Sequence, residues 1–183
     1  MGNSNFKLNT PLTEEKIKNL RAGDAVYLNG TILGARDAAH KRFIKSIASQ
    51  EKLPVNLKNS TIFYVGPSPA PPGEKSGSIG PTTSARMDKL TEPLLKKGLK
   101  ATIGKGSRSD NLKKLLKKYK SVYFITIGGI AAYLSTKVKN IKTVAYRDLG
   151  AEAVFEIEVS DLPLFVAYDI YGGDIFESAL RIE

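Results

Sequence analysis

Apolar positions along this chain follow two periods, near two residues and near 3.6, and the switches between them divide it into strands and helices. Residues 13–20 have helical spacing, with Thr13 as a cap, Glu14 and Glu15 in the first turn and Gly23 as a stop. Two apolar runs, 25–28 and 31–33, flank Asn29-Gly30, the pattern of a two-residue hairpin. From Asp37 the apolar residues Ala38, Ala39, Phe43, Ile44 and Ile47 return to helical spacing. Residues 61–66 read as a buried strand. Residues 67–77, with four prolines and two glycines, read as a loop.

Beyond that loop, Gly80-Pro81 precedes three hydroxyls, Thr82, Thr83 and Ser84, and then Met87 and Leu90 at helical spacing. This predicts a helix start capped by a hydroxyl. A second short helix is expected from Pro93, which a first turn tolerates. Residues 101–103 form a strand, and Ser109 caps a helix over 110–120 with Leu112, Leu115 and Leu116 inward. Residues 122–127 are a strand ending at Gly128-Gly129, and Ile130 to Leu134 opens another helix. Residues 143–146, 153–159 and 164–170 are three further strands, with Glu156 and Glu158 turning one face of the second to water. Strands alternating with helices predict a three-layer α/β core, the early hairpin being an additional β element.

Composition narrows the partners. The 183 residues suit one domain spanning 1–183, and 42% hydrophobic content suffices for its core. There is no cysteine, so neither a disulfide nor an iron–sulfur cluster can be held by this chain's own thiolates. The first residues lack the apolar run of a signal peptide, and no stretch approaches a membrane span of about 20 residues, so a cytoplasmic location is expected. The net charge is +10, which points to nucleic acid or to small anions. Much of the excess lies in lysines 96, 97, 100, 113, 114, 117, 118 and 120, and solvated helix faces are favoured there over a binding stripe, because arginine and aromatic residues are not interleaved.

Three turns suit an anion. Arg36 lies on the loop before the helix at Asp37, and Arg86 lies one turn inside the helix start that follows Thr82. Lys105 stands between Gly104 and Gly106 after a strand. A helix N-terminus offers free N–H groups, and an arginine adds a fork that fits a carboxylate or phosphate. The bland alternative is a capped surface helix with a solvated arginine. The turn at Lys105 is not a nucleotide-phosphate loop: five residues rather than four separate Gly98 from Gly104, and Gly106 stands where a hydroxyl must hold magnesium. The lone histidine, His40, lies one turn from Arg36, either a structural residue or an acid/base.

The runs Leu28-Asn29-Gly30-Thr31, Ala35-Arg36-Asp37-Ala38-Ala39-His40, Ile79-Gly80-Pro81-Thr82-Thr83-Ser84-Ala85-Arg86-Met87, Gly104-Lys105-Gly106 and Gly128-Gly129-Ile130-Ala131-Ala132 fall in an order that resembles the β subunit of class I fumarate hydratases. The same module forms the β subunit of L-tartrate dehydratases. The likeness covers about residues 12–176, and the Gly-Pro-Thr-Thr-Ser-x-Arg-Met run, with seven defined positions, is its most specific part. It implies a swivelling β/β/α domain with a mixed sheet. It also implies a partner α subunit, the other half of an α2β2 assembly, whose cysteines hold a 4Fe-4S cluster with one open iron; this chain would bind no metal. The implied reaction is reversible dehydration of malate to fumarate, with the open iron as Lewis acid. By the same resemblance Arg36, Arg86 and Lys105 grip substrate carboxylates. Thr82 matches the family threonine proposed as base, and it would need nearby cations and a partner carboxylate to act so. His40 matches the family histidine, an acid/base or an orienting group.

Two runs depart from the family pattern. An Asp-Ser-His-Gly or Asp-Thr-His-Gly run is replaced by Asp169-Ile170-Tyr171-Gly172-Gly173, and the loop 67–77 is shorter and more polar. Both bear on substrate choice, and L-tartrate stands as the alternative substrate. Two other classes stay open: a basic nucleic-acid-binding protein, and a chain that binds a dicarboxylate without catalysing.

Overall fold

The structure, a computed structural model, describes residues 5–67, 79–126 and 131–179. Residues 68–78 of the Pro/Gly-rich stretch and Ile127 to Ile130, including Gly128-Gly129, lie outside the described residues. The fold is mixed α/β, with one sheet of seven strands. In chain order these are β1 (Asn5–Asn9), β2 (Ala25–Gly34), β3 (Thr61–Phe63), β4 (Ala101–Gly104), β5 (Val122–Ile125), β6 (Val138–Ala145) and β7 (Val154–Tyr168). The helices are α1 (Glu14–Ile17), α2 (Asp37–Ala48), α3 (Asp88–Lys96), α4 (Asp110–Tyr119), α5 (Ala131–Thr136) and α6 (Ile175–Ala179).

The sheet order is β1-β2-β3-β4-β5-β7-β6, and β7 also pairs with β2. Strands β2, β3, β4 and β5 run parallel, each to the next. Strand β7 runs antiparallel to both β5 and β2, so the parallel arc is closed upon itself. Alternation along the strands divides the core. Ile62, Tyr64, Tyr123 and Tyr168 face α2, α3 and α4, where Phe43, Leu94 and Leu112 meet them. Phe63, Val65, Ile103 and Phe124 face the other way, onto Val26, Ile157 and Leu164. Strands buried on both faces are what the continuous apolar runs at 61–66 and 122–126 require.

The expected hairpin at Asn29-Gly30 is not there: β2 runs through it as one strand. The expected strands at 153–159 and 164–170 are likewise a single strand, β7. The reason is one shared irregularity. The β2–β7 register shifts between Leu28 and Gly30, and Asp161, opposite, has φ 47°. The Asn29 side chain stitches the two bulges: its Oδ1 accepts from the Asp161 N–H at 2.9 Å, and its Nδ2 donates to Asp161 Oδ1 at 3.3 Å. Gly30 has φ 101°, and a Cβ there would lie 2.4 Å from Thr10 Oγ1. Turn chemistry thus serves as paired bulges between long strands.

Near Pro93 the two expected helices are also one. Helix α3 runs through Pro93 and is entered by a 3-10 turn at Ala85–Met87. Pro93 forfeits only a bond to the carbonyl of Lys89, an exposed residue. Ser109 caps α4 as expected, accepting from Leu112 N–H at 3.3 Å. Thr13 stands at the N-cap of α1 without a side-chain bond.

Replacing Gly30 by alanine should cost about 1–3 kcal/mol, from the positive φ and the collision with Thr10. Asn29→Ala, which loses only the side-chain stitch, should cost about 1 kcal/mol. Urea unfolding of both variants measures the order, and equal losses would contradict it.

Candidate active site

The carboxyl ends of β2, β3 and β4 form one rim, and the anion-friendly turns all lie on it. Parallel α/β sheets, closed or open, place ligands at the carboxyl ends of their strands. Arg36 lies two residues past the end of β2, at the N-cap of α2 in extended conformation. Its carbonyl accepts from both the backbone N–H (2.9 Å) and the ring Nδ1 (2.8 Å) of His40. Its guanidinium lies over Gly66, where a Cβ would come within 2.8 Å of Nη1. Its Nη2 is 3.4 Å from Glu152 Oε1. Glu152 also accepts from the Ala38 N–H at 3.1 Å, so a residue far along the chain caps α2.

None of the Thr82–Ser84 hydroxyls caps α3; those of Thr82 and Ser84 fasten the loop to the sheet. Thr82 donates through its N–H (2.9 Å) and its Oγ1 (3.1 Å) to the Tyr64 carbonyl just beyond β3. Thr83 bridges in parallel to Lys105. Ser84 Oγ accepts from the Lys105 N–H at 3.1 Å, in a space that exists because Gly104 has no Cβ: one there would lie 1.8 Å from that oxygen. This close approach is what the Gly-Lys-Gly turn provides. The Lys105 side chain is exposed. Arg86, in the 3-10 turn, donates from Nε to Asp37 Oδ1 and Oδ2 at 2.9 and 3.1 Å. Burial pushes the Asp37 carboxyl upward, but the Arg86 hydrogen bond and charge hold it, on balance, below the usual carboxylate value.

The structure therefore brings Arg36, Thr82, Arg86 and Lys105 to one rim and sets His40 behind it. His40 is fully buried, edge-on to Tyr64 and Phe43 at 5.6 and 6.2 Å between centroids. A carbonyl can only accept, so Nδ1 carries the proton toward Arg36. Desolvation lowers the His40 pKa to about 4, and the ring is neutral at pH 7. Two residues that sequence reasoning did not single out hold the rim, Glu152 and Arg108, together with Asp37, which the sequence offers as the cap of α2 and which the structure makes its first helical residue, with Arg36 at the N-cap. The Arg108 side chain is fully buried; its Nε pairs with Asp88, which also accepts from the Ser109 N–H at 2.8 Å. The guanidinium carbon lies 5.3 and 5.0 Å from the ring centroids of Tyr64 and Tyr123.

The Asp169–Gly173 run lies at the opposite end of the sheet. Tyr168 pairs with Tyr123 near the start of β5, and Asp169 accepts from the N–H groups of Ala22 (3.0 Å), Tyr171 (2.8 Å) and Gly173 (2.9 Å). In this chain the run closes a turn. The lysine-rich helices are partly internally matched: Lys113 bonds Asp110, Asp174 and Glu177, and Lys96 pairs with Glu92. Among the described residues no three His, Asp or Glu side chains are grouped to hold a metal, and no helix is long and apolar enough to cross a membrane.

The Fumarase C-terminus family model matches residues 2–179. This chain belongs to that family. A Methanocaldococcus jannaschii protein, named as a candidate L(+)-tartrate dehydratase subunit beta, is 43% identical over 91% of this chain and 88% of its own length. Fumarate hydratase 2 of Leishmania major is 38% identical over 91% of this chain, and the aerobic class I fumarate hydratase of Escherichia coli K12 is 37% identical over 93%. This chain spans only 30% and 32% of those two proteins. As a member of the Fumarase C-terminus family, the chain carries its Gly-Pro-Thr-Thr-Ser-x-Arg-Met run on the rim built by Tyr64, Gly66 and Gly104.

Two consequences are measurable. A histidine buried neutral, with its pKa lowered from 6.5 to about 4, stabilises the fold above pH 6.5, and that contribution fades as pH falls toward 4. The wild type should lose on the order of 3 kcal/mol over that interval through this group, and His40→Asn should flatten the slope in urea unfolding at pH 7 and pH 4.5. Arg108→Met strands Asp88 and should cost about 3–5 kcal/mol in the same assay; a cost below 1 kcal/mol would show that the pair does not hold the loop.

Proposed function

We propose that this chain, residues 1–183 as one catalytic domain, is the β-type half of an iron–sulfur hydro-lyase that reversibly dehydrates malate to fumarate. The observation that carries the reading is the rim: Arg36, Arg86 and Lys105 come from three separate turns to the carboxyl ends of β2, β3 and β4, beside the Thr82 hydroxyl. Two arginine forks and an ammonium suit a dianionic dicarboxylate. The two arginines are partly accessible, their side chains 27% and 44% exposed, which suits groups that meet a ligand.

In the forward reaction the carbon next to one carboxylate loses a proton, its electron pair forms the double bond, and hydroxide leaves the neighbouring carbon to become water with that proton. Charge builds on the carboxylate beside the carbanion-like centre, where fixed cations lower the barrier. That is the part we assign to Arg36, Arg86 and Lys105. Thr82 lies in the site, but its proton is directed at the Tyr64 carbonyl, an acceptor that favours the neutral hydroxyl. It acts as base only where neighbouring cations and a partner carboxylate draw that proton away; otherwise it positions substrate. His40, buried and neutral, orients the Arg36 main chain. The chain has no cysteine, so the Lewis-acid cluster is assigned to an α subunit, in an α2β2 assembly. A cytoplasmic location accords with the absence of cysteine. The β/β/α swivelling arrangement is supported by the two core clusters on opposite faces of the parallel strands.

The 43% identical relative, which this chain matches over most of its length, is named for tartrate, and this favours L-tartrate as the second substrate to try. Co-expression with a cysteine-bearing α partner, anaerobic iron reconstitution and an ultraviolet assay for fumarate form the test. Activity should need both chains. Arg86→Ala should cut turnover about 100-fold or more with the fold intact, and Arg86→Lys should fail nearly as badly, because a point charge does not replace a fork. Near-normal turnover in Arg86→Ala would remove Arg86 from the site.

A further inference from the structure

Arg86 has a fixed edge and a free edge. Its Nε reaches both carboxylate oxygens of Asp37 at 2.9 and 3.1 Å, while no partner holds Nη1 or Nη2 among the described residues. The exposed fork is thus anchored at its stem. Asp37 is well suited to anchor it. It is the first residue of α2, where the helix dipole favours a carboxylate. It follows Arg36, so one helix start addresses both arginines. The next N–H of that first turn, that of Ala38, is met by Glu152 at 3.1 Å and not by Asp37.

We propose that Asp37 is the positioning residue for substrate recognition: by holding Nε it turns the Nη1/Nη2 edge of Arg86 outward as a preset bidentate site for one carboxylate of the substrate. This rests on the reading of Arg86 as a carboxylate-binding residue. The gain is one of orientation. A free arginine must fix four side-chain torsions when it binds, whereas a tethered one has fixed them already.

The test is a kinetic cycle in the reconstituted two-chain enzyme, with a spectrum of this chain alone beside it. Asp37→Ala should lower kcat/KM about 10- to 100-fold. Asp37→Asn, whose amide oxygen still accepts from Nε, should recover to within a few-fold of wild type. In the Arg86→Ala background, Asp37→Ala should add no further loss, since Asp37 acts through Arg86. Wild-type kcat/KM in Asp37→Ala, or the same loss in both backgrounds, overturns the proposal, because a purely structural ion pair would behave in that way. In the 1H–15N spectrum of the isolated chain, the Arg86 Nε–H should be a resolved, slowly exchanging signal that disappears in Asp37→Ala. Its absence from the wild type overturns the tether whatever reaction the enzyme performs. A wild-type complex inert toward both malate and tartrate, with that signal present, overturns the proposed function instead and the substrate role of Asp37 with it.

Discussion

Strand β7 is the constraint on which the rest of the molecule depends. It is fifteen residues long and bonds β5 through its last residues, β2 along most of its length and β6 on its other edge. Without it the parallel strands β2 to β5 would form an open arc with two free edges. With it the arc closes, and the ends of β2, β3 and β4 come to one rim. The register extends the effect. Gly34 faces Phe155 across β2 and β7, so two residues onward from Gly34 and three back from Phe155 bring Arg36 beside Glu152. The ion pair that holds the first arginine is a consequence of strand pairing.

The rim then has to satisfy its own charges. Three cations close together repel one another and would swing into water if left free. Each fixed one is held by a group from a different segment: Arg36 by Glu152, Arg86 by Asp37, and the loop beneath Lys105 by the buried Arg108–Asp88 pair. Two of these holders address α2, which explains why the start of that helix is so closely tied. His40 completes the attachment from below: its Nδ1–H and its backbone N–H both end on the Arg36 carbonyl. A charged ring could not occupy that position, edge-on to Tyr64 and Phe43 with no access to water, and burial keeps it neutral.

Where local pattern and tertiary pairing agree, the fold was legible in the sequence. Strands β3, β4 and β5 and the Ser109-capped α4 follow from apolar runs and caps whose causes are local. Most of the misreadings share one cause. Asn29-Gly30, the break expected between 159 and 164, and the hydroxyls of Thr82 and Ser84 each invite a local reading, and each is put to a use set by a distant segment: Asp161 for Asn29, the β2 edge for 160–163, Tyr64 and Lys105 for the hydroxyls. The site shows the same division. Arg36, Thr82, Arg86 and Lys105 stood out because anion-binding turns have local chemistry. Glu152 and Arg108 did not, because a carboxylate or guanidinium that serves a residue far along the chain looks like any surface charge until the strands are paired. His40 was a candidate from its place one turn after Arg36 and from the family resemblance alike, and neither could show its full burial behind the rim.

The accessibility of the rim bears on how the reaction can be divided between chains. Arg86 is 44% exposed and Lys105 is exposed, so on the proposed reading the grip of this chain alone on a dianion is weakened by water and salt. The same groups, unchanged in position, act far more strongly once a second surface excludes that water, since the effective dielectric falls. On the proposed reading, the ion pairs to Asp37 and Glu152 already orient both arginines before the rim is covered. The chain thus holds its cations in place but leaves them hydrated, and on the proposed reading the arrival of the partner converts preset geometry into strong electrostatics.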